Sequence, residues 1–285
     1  MKKILVGIDG SQRGTRALHW AARRASREGA KLELLSVIDP KMAKESGVPV
    51  DDVHDAVEQI LYQGRDFVQE RYEGVQVEMR TAEGEVVESI VDAAAGCDLI
   101  VLGSHHGSSV GDTIGAAKPL RVAMSASVPT AIVPADWAED YDGVGVVVGI
   151  DPDGSTKEAL DFAVAEALAT SQPLRLITGW GLPAWISKPA EVMGGGLGPV
   201  GELYQTRLDA LSAAIRADHE GMDVRGHAVE GPSPTRVLQG YAKTRGVLVL
   251  GTRSRAALGR ALFGSVTHST LLNLTIPTVI VPQRG

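Results

Sequence analysis

The chain has 285 residues, more than one domain of ordinary size, and two domains are the natural reading. Hydrophobic residues make up 44% and charged residues 22%, which excludes an extended disordered chain, and no apolar run reaches the ~18 residues of a membrane span. A net charge of −7 argues against nucleic acid or an anionic membrane as partner, and the single cysteine, Cys97, excludes an intrachain disulfide or a cysteine metal cluster.

In chain order, Ile4–Ile8 is a compact apolar run of the kind buried on both faces of a parallel sheet. Asp9 interrupts it too early for a secretion signal, and the default location is the cytoplasm. Ser11 starts a helix whose Ala17, Leu18, Ala21 and Ala22 share a face, and Gly29 ends it. Strand 32–38 follows, then a helical segment over about 51–72, a strand over 75–81 and a helix built on Val86, Val87, Ile90, Val91 and Ala94. Cys97 precedes a buried strand pattern and reads as a small buried thiol. Leu99–Gly103 and Thr130–Pro134 are two further strands, with a helix over about 116–126 between them.

The second half repeats the first. LVGIDGS from Leu5 returns at Val147, DLIVLG from Asp98 at Gly246, and VPTAIVP from Val128 at Ile276, offsets of 142, 148 and 148 residues. Each copy is a whole domain, 1–135 and 144–285, joined by the acidic, aromatic linker 136–143. Ser155 and Glu158 form a capping-box pattern at the first helix of copy two. Strand–helix alternation with near-continuous apolar strands predicts α/β architecture. Each of the two repeats is a doubly wound domain, with an open, mainly five-stranded parallel sheet flanked by helices.

Ligands of such sheets bind beyond the carboxyl ends of the strands, where the strand order reverses. The informative residues are therefore Asp9 and Asp151, Ile38 and Trp180, Gly103 and Gly251. The segment from Gly251 to Val266 is the richest. Gly251 ends a strand, Gly264-Ser265 opens a helical pattern, and Arg253 and Arg255 add positive charge. Backbone amides at such a helix start, with glycine permitting close approach, suit a phosphate. The same residues also read as an ordinary strand-to-helix connection whose glycines serve only the turn.

These motifs, in both halves from end to end, resemble the universal stress protein family. That family carries G-x2-G-x9-G-[ST] after its fourth strand and an aspartate at the end of its first. Copy two has Gly251, Ser254 in place of the second glycine, and then Gly264-Ser265. The resemblance implies an ATP site in copy two. There Asp151 would contact ribose or adenine, Gly179 would contact adenine, and Trp180 would wall the pocket. The amides around Gly251, Arg253 and Ser254, with the Gly264-Ser265-Val266 turn, would hold phosphates and ribose. Copy one keeps Asp9 and Gly103, and Val37 fits the adenine position. His106 replaces its second glycine, and Ala116-Ala117 replace the Gly-[Ser/Thr] pair. If one copy binds ATP, it is the second.

Other signals weigh less. Gly196-Leu-Gly198-Pro-Val-Gly201 spells a dinucleotide fingerprint but follows no strand, and Gly259–Ser265 lacks the lysine of a Walker sequence. His105-His106 point to different faces, and Ser265 with His268 lacks the strand–GxSxG–helix elbow of a nucleophile. The readings that remain are an ATP-binding stress-response regulator, a slow ATPase and an interaction module with vestigial sites. Asp151 and Asp153 could hold Mg2+ with the nucleotide, but nothing marks a general base. The last strands of the copies could pair in an intrachain pseudo-dimer, while homodimerisation and an unknown protein partner stay open.

Overall fold

The computed structural model describes residues 2–104, 112–138, 143–151, 156–181, 198–252, 265–271 and 274–283, without the side chains of Ser46, 112–117, Gly198 and Ser265. The chain divides into two compact units, 1–141 and 142–285, called domains 1 and 2 below.

Domain 1 runs β1 (Lys3–Gly7), α1 (Gln12–Glu28), β2 (Lys31–Ile38), α2 (Pro40–Ser46), α3 (Val50–Arg71), β3 (Val77–Glu83), α4 (Val86–Ala93), β4 (Leu99–Ser104), α5 (Asp112–Ser125) and β5 (Thr130–Pro134). Its strands are all parallel, in the order β3-β2-β1-β4-β5. The chain moves outward from β1 to β2 and β3, then crosses to β4 on the other side, so strand order reverses between β1 and β4. Right-handed crossovers need covering helices, and α1 and α3 supply an apolar face each: Ala17, Leu18, Ala21 and Ala22 in one, Val57, Leu61 and Val68 in the other. The opposite face packs Leu5, Leu35 and Leu102 against Val87 and Ile90 of α4 and Val122 of α5.

Ser11 caps α1 by accepting from the Gly14 amide at 3.3 Å, and Gly29 closes it at φ 62°, a left-handed conformation that costs glycine little. Cys97 is buried, and burial pushes its thiol up from its ordinary range, which suits an inert packed group. Trp137 is buried with its ring centroid 5.9 Å from His19.

Domain 2 runs β6 (Val146–Gly149), α6 (Lys157–Thr170), β7 (Leu174–Trp180), α7 (Gly198–Asp218), β8 (Val224–Glu230), α8 (Pro234–Ala242), β9 (Val247–Gly251), α9 (Ser265–Leu271) and β10 (Thr278–Val281). Its strands are parallel in the order β10-β9-β6-β7-β8, the same topology. Two expectations shift. The helix α2 has no counterpart in the sequence reading. Ser155 lies outside the described residues, and α6 follows Thr156, which makes no side-chain cap.

Candidate functional site

In domain 1 the ends of β1, β2 and β4 open into a cavity of about 480 Å³, within the range of roughly 300–1,000 Å³ usual for small-molecule sites. Gly7 and Asp9 come from the end of β1, Val37 and Ile38 from β2, and Leu102 and Gly103 from β4. The cavity therefore sits at the switch point. Met42 and Ala43 of α2, with Val53 and Val57 of α3, wall one side; Val86 and Ile90 of α4 line it as well. Lys118 and Pro119 of α5 complete the lining. Three of the four residues singled out in this copy, Asp9, Val37 and Gly103, thus share one cavity, while His106 lies outside the described residues.

Asp9 does not face the cavity unpartnered. Its Oδ1 accepts from the Ser11 amide at 3.1 Å and from the Ser11 hydroxyl, and its Oδ2 accepts from Arg13 Nε at 3.2 Å and Nη2 at 2.8 Å. Burial raises the carboxyl's pKa, but the Ser11 and Arg13 hydrogen bonds and the guanidinium charge outweigh it and hold it below the usual range. Gly103 has a packing role of its own. A Cβ there would stand 2.3 Å from the Arg13 carbonyl oxygen, so only glycine lets β4 pass the first turn of α1.

Sequence reasoning passed over two contributors. The α2 helix is marked by Asp39, whose Oδ1 accepts from the Lys41 amide at 2.9 Å, with Pro40 in the first turn and Gly47 at φ 69° at the end. Those are legible start and stop signals, masked by the shortness of the helix. Lys118 lies two residues past the glycine-to-alanine replacement, and its Nζ is 3.9 Å from Met42 Sδ across the mouth of the cavity.

In domain 2, β6 and β9 are hydrogen-bonded neighbours, so Asp151 and Gly251 leave the sheet side by side. Thr267 of α9 donates its hydroxyl to the Gly251 carbonyl oxygen at 3.2 Å and ties the start of that helix to the end of β9. Ser265 begins α9 and Val266 follows it; Arg253, Ser254 and Gly264 lie outside the described residues. A Cβ on Gly179 would stand 2.7 Å from Pro234 Cα, so α8 presses directly on β7 where domain 1 has the Val37 side chain. Trp180 packs on α7, edge-on to Tyr204 at 6.2 Å and against Gly201. Among the described residues no group of three or more acidic, histidine or cysteine side chains could hold a metal ion.

The sequence profile of the universal stress protein family matches residues 1–134 and again 145–282. The chain belongs to the universal stress protein family. It carries two universal stress protein domains in tandem. A universal stress protein of Mycolicibacterium smegmatis is 25% identical, over 99% of this chain and 97% of that one. One of Mycobacterium tuberculosis is 27% identical over 80% and 78%. The crystal structure of a universal stress protein from Archaeoglobus fulgidus shares the fold, with a TM-score of 0.74 at 18% identity over 99% of this chain and 96% of that one. Among the described residues no helix is long and apolar enough to cross a membrane.

Proposed function

We propose that the chain is an ATP-binding regulatory protein of the stress response, with the nucleotide held mainly by domain 2. The carrying observation is the Thr267–Gly251 hydrogen bond of 3.2 Å. It fixes both ends of the glycine-bearing segment 251–265 at the carboxyl end of β9, next to the point where Asp151 leaves β6. A backbone held at both ends can present successive amides to a polyphosphate, with glycines permitting close approach. In this reading Gly251, Arg253, Ser254, Gly264, Ser265 and Val266 hold phosphates and ribose, and Asp151 faces the ribose or adenine. Mg2+ would accompany the triphosphate. Gly179 supports the site by letting α8 close on β7. The domain 1 cavity supports the reading more generally, since it is a hollow at the same end of the homologous sheet.

The sequence marks no general base for an attacking water, so we favour binding and conformational response over turnover. Calorimetric titration with Mg-ATP tests the proposal. One nucleotide per chain is expected, lost in Gly264→Val and retained in Ala116→Ser. Equal loss in both variants, or no binding to the unaltered chain, overturns it.

A further inference from the structure

The cavity of domain 1 is chemically unlike a polyphosphate site. Its body is apolar, formed by Leu35, Val57, Ile90 and Leu102 among others. The carboxylate at its strand end is saturated from within the chain. A carboxylate offers about four lone-pair positions, and Asp9 uses two on Oδ1 for Ser11 and two on Oδ2 for Arg13. A ribose diol would therefore have to displace existing donors. Where the family motif places a glycine and a hydroxyl residue, this domain reads Ala116-Ala117-Lys118-Pro119. Pro119 stands inside α5 and has no N–H to offer.

Among the described lining residues, one ammonium group remains without a carboxylate partner. Lys118 crosses the mouth from α5 toward α2, its Nζ contacting Met42 Sδ at 3.9 Å, and among the described residues no carboxylate pairs with it. A lysine acts as a compact point charge able to turn its donors toward an anion. An apolar cavity with one unpaired cation at its rim complements a molecule with an apolar body and one anionic group. It is a poor match for a triphosphate, whose several charges would meet one lysine and the Asp39 carboxylate.

We infer that the domain 1 cavity binds a small amphipathic monocarboxylate, with its apolar body between β2, α3 and α4 and its carboxylate on Lys118. The inference rests on the carboxyl end of the domain 1 sheet being a working ligand site, and does not require domain 2 to hold ATP. The two domains then answer to different ligands through the same fold.

Decanoate and decan-1-ol, which share a chain and differ in the charged head, are titrated calorimetrically into the full chain. One decanoate per chain is expected, bound at least about tenfold more tightly than the alcohol, as one charge-assisted hydrogen bond implies. Lys118→Met keeps an unbranched side chain of similar length without the charge and is expected to remove that preference while leaving the alcohol unaffected. Ala43→Phe adds bulk to the α2 wall of the cavity and is expected to abolish both, with circular dichroism confirming the fold. Gly264→Val is expected to leave decanoate binding intact. Absence of decanoate binding, an unchanged preference in Lys118→Met, or displacement of decanoate by ATP overturns the inference. Decanoate binding without ATP binding would sink only the nucleotide proposal for domain 2.

Discussion

Asp9 follows β1 at the switch point of the domain 1 sheet, and its carboxylate is engaged by its own neighbours, Ser11 and Arg13. Because these partners hold the folded pKa below the unfolded one, the group stabilises the fold above the unfolded value of about 3.9. That contribution is lost as pH falls through the lower, folded value. The side chain is half-exposed, so solvent screens the ion pair and the effect is modest. Replacing Asp9 with Asn removes the titration. Urea midpoints of the unaltered chain should therefore fall more steeply than those of Asp9→Asn from about pH 4.5 to about pH 2.5, and run parallel above about pH 5. Parallel curves across the acid limb would show that Asp9 is not depressed. The position of Asp9 is legible in the sequence from the end of an apolar run. Its partner is not, because Arg13 lies beyond the cap of α1 and only the folded turn brings the guanidinium back to the carboxylate.

Between elements, glycines decide how closely helices approach the sheet. At Gly103 an added Cβ would meet the Arg13 carbonyl at 2.3 Å, and at Gly179 it would meet Pro234 Cα at 2.7 Å. Both obstacles are backbone, which cannot swing aside as a side-chain tip can. Gly103→Ala and Gly179→Ala are each expected to lose about 1–3 kcal/mol of stability through overpacking, read as lower thermal midpoints. Gly74→Ala serves as the contrast. Nothing lies within 4 Å of its added Cβ, so strain there comes only from a φ of 80°. Midpoints unchanged at Gly103 and Gly179 would mean that α1 and α8 are not held against the sheet as described. The strands were legible at this scale because buried parallel strands are continuous apolar runs, and the observed Lys3–Gly7 and Lys31–Ile38 fall within a residue of their predicted positions. Boundaries that depend on local φ and ψ were less so. The third strand runs over Val77–Glu83 rather than 75–81, since its alternating residues are mostly exposed and burial marks it weakly. The α2 helix escaped notice because seven residues give too few turns for a periodicity, although its capping residues were present.

The duplicated sequence specifies one topology twice, and the landmarks that recur are the ones that build the sheet: the apolar runs and the glycines where strands meet helices. The residues that differ are those beyond the strand ends, which the sheet does not constrain. There domain 1 has Ala116-Ala117-Lys118-Pro119 where domain 2 has Gly264-Ser265-Val266-Thr267. That separation is why family and fold were legible from the sequence while the ligand of each domain was not. Conserved core packing says nothing about a loop's chemistry. It also gives a prediction for the whole chain. A ligand that binds only the folded state stabilises by about 2.7 kcal/mol when present at a hundred times its dissociation constant, and slows local opening around its site. With Mg-ATP at that excess, amide hydrogen exchange measured by mass spectrometry should slow over β6, β9 and α9 of domain 2. Exchange over β1, β4 and α5 of domain 1 should stay as in the nucleotide-free chain on the proposed reading, since domain 1 has Lys118 and Pro119 where domain 2 has Val266 and Thr267. Equal slowing in both domains would mean that domain 1, despite its altered 116–119 segment, still accepts the triphosphate, and that the difference between the two sequences does not separate their ligands.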